Sequence, residues 1–254
     1  MNVGPHITLK EFFLVHPKVA IAFSGGVDSA YLLYSAKQYG AEVRAYYVKS
    51  VFQPRFELDD ALRFAREIQV PIQVLRLDVL ASPSVASNPP DRCYHCKRMI
   101  FGAIGQAAAK DGFTVILDGT NASDEEKERP GMRALRELSV LSPLKACGLT
   151  KTEIRKRSRD EGLFTWDKPA YACLATRIPT GEPVTREKLR VTETAENFLF
   201  SLGLKDFRIR HTNWAARIQV PASQLEMVVV HRQSILSELK KYYPAVLLDL
   251  ETRG

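Results

Sequence analysis

The sequence predicts an α/β protein, a doubly wound parallel sheet followed by a smaller C-terminal α+β domain. Two observations carry this expectation. Between residues 18 and 120, short apolar β-branched runs alternate with stretches of helical spacing, the pattern of parallel strands covered on both faces. After Pro143 the alternation gives way to a charged helix, a long Pro/Gly-rich stretch, and a strand-and-helix unit over 185–254. A chain of 254 residues can bury a core as one large domain or two smaller ones.

KVAIAF (18–23) reads as a buried strand, and SGGVDS (24–29) follows it directly. AYLLYSAKQYG then shows apolar residues at helical spacing and ends on Gly40, a stop signal. VRAYYV (43–48) is the next strand, FELDDALRFAREIQ (56–69) an amphipathic helix, and PIQVLRL (71–77) a third strand. A Pro/Ser loop over 81–91 leads to a helix from Tyr94 to Lys110, and FTVILDGT (113–120) is a buried strand with a polar end. LTKTEIRKRSRDEG (149–162) is a charged helix with Thr150 as cap and Gly162 as stop. The following FTWDKPAYACLATRIPTGEPVT is too long and too rich in Pro and Gly for an ordinary connection. A helix over 185–202, strands FRIRH and AARIQV, a helix across 222–241 and a strand AVLLDLE complete the chain. The expected domains are therefore 1–165, a connecting loop 166–184, and 185–254.

Hydrophobic residues at 45% and charged residues at 26% are the balance of a soluble globular protein. No apolar run reaches the roughly 20 residues of a membrane helix. The N-terminus lacks the basic, apolar and small-residue regions of a secretion signal, so a cytoplasmic location is expected. Four cysteines in a chain this long do not make a disulfide framework; they serve as thiols, metal ligands or catalytic groups. The net charge of +7 is uneven, with 14 Lys/Arg against 9 Asp/Glu between Lys151 and Arg217. Solvated helix faces account for this, or an anionic partner, either a phosphorylated small molecule or RNA. No aromatic-interleaved RNA module stands out.

SGGVDS sits where a strand passes into a helix. Gly25 and Gly26 let the backbone curl so that amides face one point, and the helix N-terminus adds partial positive charge. Ser24 and Ser29 offer hydroxyls, and Asp28 can order Mg²⁺ or cap the helix. Such a pocket suits phosphate, although a Walker A lysine is absent. The competing reading is a glycine turn that only caps a helix. DGTN (118–121) closes a strand at the carboxyl edge of the sheet, where doubly wound folds bind ligands. Gly119 and Asn121 are candidate nucleotide contacts. Asp124 and Glu125 are candidate Mg²⁺ or substrate groups, or simply a solvated loop.

Cys93 and Cys96 form Cys-x-x-Cys, open to zinc, a redox pair or an iron–sulfur cluster. Zinc wants four protein ligands and no second Cys-x-x-Cys is present; a redox pair belongs at a strand end rather than after Pro-Pro. Cys173 lies in an irregular basic stretch unlike a core strand, while Cys147 has no partner nearby in sequence. Arg208 and Arg210 alternate on one strand and share a face. His95 and His211 are read as structural.

SGGVDS resembles the PP-loop of the ATP pyrophosphatases, which implies an adenine nucleotide alpha hydrolase-like fold. The likeness also implies ATP with Mg²⁺, and AMP transfer with pyrophosphate release. NPPDRCYHCKRMIF, DGTNASDEEKERPGMRALRELSVLSPL and PAYACLATRIPTGEPVT resemble LarE, the sulfur-transferase family that makes the nickel-pincer cofactor of lactate racemase. That resemblance implies adenylation of a pyridinium dicarboxylate mononucleotide and replacement of AMP by sulfur to give a thiocarboxylate. It assigns Cys173 either as sulfur source or, with Cys93 and Cys96, as ligand of a [4Fe–4S] cluster. This sequence has all three cysteines and so is similar to the cluster-bearing branch, in which an iron without a protein ligand takes up sulfide. By the same resemblance Glu196 binds metal or assists proton transfer, the competing reading being a surface helix glutamate; Arg177, four residues past Cys173, is a candidate pocket arginine. Arg208 and Arg210 hold the substrate phosphate, sulfide or another donor supplies sulfur, and the chain forms a homo-oligomer. Three rival readings are a tRNA thiolation enzyme, a non-catalytic ATP and zinc sensor, and an amide-forming ligase of the NAD synthetase kind.

Overall fold

A computed structural model of the chain describes residues 7–124, 130–213 and 215–253. Helix α1 (Leu9–Val15) starts behind Thr8, whose hydroxyl and Glu11 form a reciprocal capping box. Strand β1 (Lys18–Ala22) feeds through Ser24–Gly26 into α2 (Val27–Gln38). This helix begins inside SGGVDS, earlier than its apolar periodicity suggests, because extended Gly26 serves as its cap and polar Asp28 and Ser29 occupy its first turn. Next come β2 (Glu42–Lys49), α3 (Arg55–Glu67) and β3 (Ile72–Arg76). The stretch expected as a loop contains α4 (Pro83–Ala86), with proline in the first turn where its missing N–H costs nothing.

Helix α5 (Arg92–Lys110) carries the Cys-x-x-Cys. Strand β4 (Ile116–Leu117) is much shorter than the apolar run around it. Its ladder stops at Asp118, whose carboxylate accepts from Thr120 and Ser142 at 2.5 and 2.6 Å, and whose N–H donates to Leu141. Helices α6 (Pro130–Glu137) and α7 (Pro143–Ala146) were not legible in the periodicity. Helix α8 (Lys151–Asp160) has the expected Thr150 cap, completed by Glu153. A 3₁₀ turn at Leu174–Arg177 precedes α9 (Arg186–Ser201), β5 (Arg208–Thr212) and β6 (Ala215–Gln219). The helix expected across 222–241 is broken at His231 into α10 (Leu225–Val230) and α11 (Arg232–Leu239). Three consecutive valines at 228–230, stiff at χ1, weaken helix continuation there. Strand β7 (Ala245–Leu248) ends the fold.

The chain divides into two units. The first comprises residues 1–50, 55–78 and 91–168; the second comprises 51–54, 79–90 and 169–254. The first holds a four-stranded parallel sheet in the order β3-β2-β1-β4. Val19 and Ile21 face a core with Leu32, Leu33 and Phe64, while Ala20, Tyr46 and Val48 face Ile104 and Ala108 of α5. Both sheet faces are thus covered, as the continuous apolar strands require. Since β2 and β4 flank β1, the strand order reverses at β1, and ligands of such sheets bind beyond the carboxyl ends at that point. SGGVDS and DGTN are the two segments that emerge there.

The second unit has a sheet in the order β5-β6-β7, antiparallel then parallel. Ile209, Ala216 and Ile218 face a core with Ala195, Leu199, Ile235 and Leu239. His211 shares that inward face. Thr192 Oγ1 donates to Lys188 O, so its oxygen accepts from His211 Nε2–H at 2.8 Å. Burial, with Lys188 adding to it, pushes the His211 pKa down to about 4 and holds the ring neutral. Unfolded, the ring binds a proton near its ordinary 6.5. The resulting stability is intact above pH 6.5 and is lost as pH falls toward 4, by about 3 kcal/mol at completion. Urea titrations at pH 7 and pH 4.5 are expected to show this loss, and His211→Gln to flatten it. Among the described residues no helix is long and apolar enough to cross a membrane.

Candidate active site

In the first unit the Ser24–Ser29 segment forms a tight cradle. Gly25 has φ +76°, and a Cβ there would meet Glu57 O at 3.2 Å and Ala61 Cβ at 3.3 Å. Only glycine combines that conformation with that approach. The Ser24 and Ser29 hydroxyls lie 3.0 Å apart, and Ser29 Oγ donates to Gly26 O at 3.2 Å, tying the loop to the first turn of α2. Gly119 seals the other side: a Cβ would come within 2.9 Å of Ser29 N. Asn121 Oδ1 accepts from Ser123 N at 2.8 Å, and Asp124 Oδ2 accepts from Asn121 N at 3.1 Å, so these two residues brace the DGTN turn. Glu125 lies outside the described residues.

Two lysines absent from the sequence reading enter here. Lys151, the first residue of α8, reaches Asp28 Oδ2 at 2.5 Å, while the other carboxylate oxygen is buried without a partner. Lys168 places its ammonium 2.7 Å from Asp60, 3.3 Å from Glu57 and 3.3 Å from the Gly25 carbonyl. The cradle's backbone and hydroxyl donors at a helix N-terminus fit a polyphosphate, and the orphaned Asp28 oxygen fits a cation that would accompany it.

In the second unit three arginines grip the segment that carries Cys173. Arg177 and Glu196, each 1% exposed, form a two-pronged pair at 2.9 and 3.1 Å. Arg177 Nη1 donates to the carbonyls of Ala172 at 2.8 Å and Cys173 at 3.4 Å. Arg208 Nη2 donates to Ala170 O, and Arg210 Nη1 to Thr176 O at 2.8 Å. Glu196 also accepts from Ile209 N at 3.0 Å and from the Tyr171 hydroxyl. Both its oxygens are therefore spent on Arg177, Tyr171 and the β5 backbone.

Burial opposes the Arg177 charge, but the hydrogen bonds and charge of Glu196 outweigh it and leave its pKa above the usual arginine value. Arg208 is pushed down to about 10 by burial, with the Arg177 and Arg253 charges adding. Arg210 is lowered for the same reasons, burial first, with Arg217 contributing. Arg210 and Arg217 are directly opposed across the β5–β6 ladder, an unfavourable pairing of like charges. Asp249 lies 3.5 Å from Arg217 and accepts from Gln219, the residue that Arg210 also holds.

The family model described as queuosine biosynthesis protein QueC matches residues 18–88, the span that includes the cradle. An uncharacterized protein of Synechocystis is 35% identical over 96% of this chain and 92% of its own length. The pyridinium-3,5-bisthiocarboxylic acid mononucleotide synthase of Lactiplantibacillus plantarum is 32% identical over 92% of this chain and 86% of its own. The chain belongs to the LarE family. It is an ATP-dependent sulfur transferase built on a PP-loop domain. A more distant similarity, 28% identity over 65% of this chain, connects it to the tRNA-specific 2-thiouridylase of Pseudothermotoga lettingae. The chain spans 57% of that enzyme.

Seen as a LarE protein, its cysteines divide between the units. Cys93 and Cys96 lie one helical turn apart on α5, the first exposed and the second half-buried, with Arg92 Nη2 3.8 Å from Cys93 Sγ. Cys173, in the second unit, immediately precedes the 3₁₀ turn at Leu174–Arg177 and is half-buried. The donor set, soft and partly accessible thiols, suits iron–sulfur chemistry. Among the described residues, however, no group of three His, Cys, Asp or Glu stands together as a metal site. Cys147, partly buried, packs against the first core, and burial pushes its thiol up to about 11, which suits a packing residue rather than a nucleophile. His95 pairs with Asp91 at 3.2 Å. Sequence reading missed Lys151, Lys168 and Tyr171 because a lone lysine or tyrosine carries no spacing signal.

Proposed function

We propose that the chain adenylates a carboxylate of a phosphorylated small molecule, a pyridinium dicarboxylate mononucleotide in keeping with the bisthiocarboxylic acid mononucleotide in the Lactiplantibacillus relative's name, and exchanges the AMP for sulfur. The carboxylate oxygen attacks the α-phosphorus of ATP, pyrophosphate leaves, and an acyl adenylate forms. A sulfur nucleophile then attacks the acyl carbon, the C–O bond to AMP breaks, and a thiocarboxylate results. Ser24, Gly25, Gly26, Ser29, Gly119 and Asn121 shape the nucleotide site, and Asp28 orders Mg²⁺. The single observation that supports a phosphorylated substrate is the arginine cluster on one face of β5 and β6. Arg210 feels the charges of Arg177, Arg253 and the opposed Arg217, Arg208 those of Arg177 and Arg253, and an anion relieves that repulsion. Arg210 Nη2 makes no hydrogen bond to the described residues.

Cys173 is the residue we assign to sulfur transfer, presented by a segment whose carbonyls the arginines hold. Arg177 and Glu196 act by holding that segment. Cys93, Cys96 and Cys173 are the donor set a [4Fe–4S] cluster would use, and such a cluster supplies a renewable site for sulfide.

The test is pyrophosphate release and thiocarboxylate formation with candidate mononucleotide carboxylates. Cys173→Ala is expected to retain pyrophosphate release and lose thiocarboxylate; undiminished thiocarboxylate formation would remove Cys173 from the transfer step. Iron and zinc analysis after anaerobic purification addresses the cluster, with stoichiometric zinc and no iron counting against it. Arg210→Ala is expected to raise the substrate KM roughly 10-fold or more, from one charge-assisted contact, with ATP affinity retained. An unchanged KM would reject its phosphate role. The thiouridylase similarity favours one rival, tRNA as substrate, and its mark would be salt-sensitive tRNA binding.

A further inference from the structure

We propose that Lys168 is a positioning residue for the pyrophosphate end of ATP, acting by holding the Gly25–Gly26 peptide in the orientation that aims its N–H into the cradle. This rests on Ser24–Ser29 being the ATP site. Its test is independent of any sulfur chemistry.

Three observations within the first unit carry it. First, the Lys168 ammonium contacts the Gly25 carbonyl at 3.3 Å. In a trans peptide the carbonyl and the following N–H point in opposite directions, so gripping Gly25 O turns Gly26 N–H the other way. Among the described residues that N–H meets only the Ser24 hydroxyl, at a long 3.4 Å, a weakly used donor at the start of α2. Second, the grip has a firm base. Lys168 is held by Asp60 at 2.7 Å and Glu57 at 3.3 Å, with its side chain 12% exposed. Its own carbonyl accepts from Arg155 Nη2 at 2.8 Å, and Arg155 Nη1 binds Trp166 O at 2.5 Å. Third, Gly25 at φ +76° has no side chain of its own to fix the peptide and rests against the first turns of α3.

The same ion pairs explain why Lys168 positions rather than binds. Two carboxylates already balance its charge, so it offers little net attraction to a phosphate. A Walker-type lysine would instead point a free ammonium at the anion.

The experiment compares Lys168→Met with wild type by calorimetric titration of ATP, inorganic pyrophosphate and AMP. Loss of one charge-assisted orienting bond is expected to weaken ATP and pyrophosphate by about 10-fold, and AMP by under about 2-fold. The Gly26 amide resonance in glycine-labelled protein should shift on adding pyrophosphate to wild type and fail to do so in the variant. The charge-compensated Lys168→Met/Asp60→Asn serves if the single variant does not fold, with the same selective loss expected. Equal weakening of AMP and ATP, or unchanged pyrophosphate affinity, would overturn the proposal.

Discussion

Arg177→Met is expected to lower the unfolding free energy by about 3–5 kcal/mol, the usual cost of stranding one partner of a buried ion pair. Glu196, 1% exposed, would keep among the described residues just the Ile209 N–H and the Tyr171 hydroxyl as partners. The Ala172 and Cys173 carbonyls would lose their shared donor as well. Urea denaturation measures the change, read from the midpoint at constant m-value. The double variant Arg177→Met/Glu196→Leu should recover most of the stability, because an apolar pair often replaces a buried ion pair without loss. Sulfur transfer should stay impaired in it, since the Ala172 and Cys173 carbonyls still lack the Arg177 donor that orients them. Recovery of stability and transfer together would show that the pair serves folding alone. A single-variant loss below about 1 kcal/mol, the range of a surface pair, would show that the pair is not effectively buried.

Gly119→Ala is the second large effect, expected to cost about 1–3 kcal/mol from overpacking. The added methyl would stand 2.9 Å from Ser29 N and 3.2 Å from Ser29 Cα, and both are backbone atoms that cannot swing aside. Relief requires the first turn of α2 to move away from the DGTN turn, which distorts the phosphate cradle. ATP affinity should therefore fall with stability, by about 10-fold for each 1.4 kcal/mol of binding lost. Calorimetric titration of ATP against Gly119→Ala and a Gly105→Ala control checks this. At Gly105 the nearest atom is the end of the Ile116 side chain at 3.5 Å, an ordinary contact, so the control should bind normally.

The two sites were not equally legible. SGGVDS could be recognised as a string because its chemistry is local: two glycines, two hydroxyls and a helix start within six residues. DGTN could be placed at the sheet's carboxyl edge by counting strands. The LarE motifs likewise marked Cys93, Cys96 and Cys173 as a set. What could not be read was how the arginines are used. Alternation put Arg208 and Arg210 on one face, which their cross-strand partners Gln219 and Arg217 agree with. It could not show that their donors reach Ala170 and Thr176, distant in sequence. Glu196 looked like an acid available to a metal; folded, each of its oxygens is already taken.

The sequence by itself determined the periodicities, the caps and the phosphate loop, and therefore the α/β class and the nucleotide chemistry. Those features depend on neighbours within a few residues, where backbone geometry translates residue type into structure directly. Only the tertiary structure decided the contacts of Lys151 and Lys168 and the burial of the Arg177–Glu196 pair. These depend on charges brought together from separated segments, and on the loss of water around them, which no local spacing encodes.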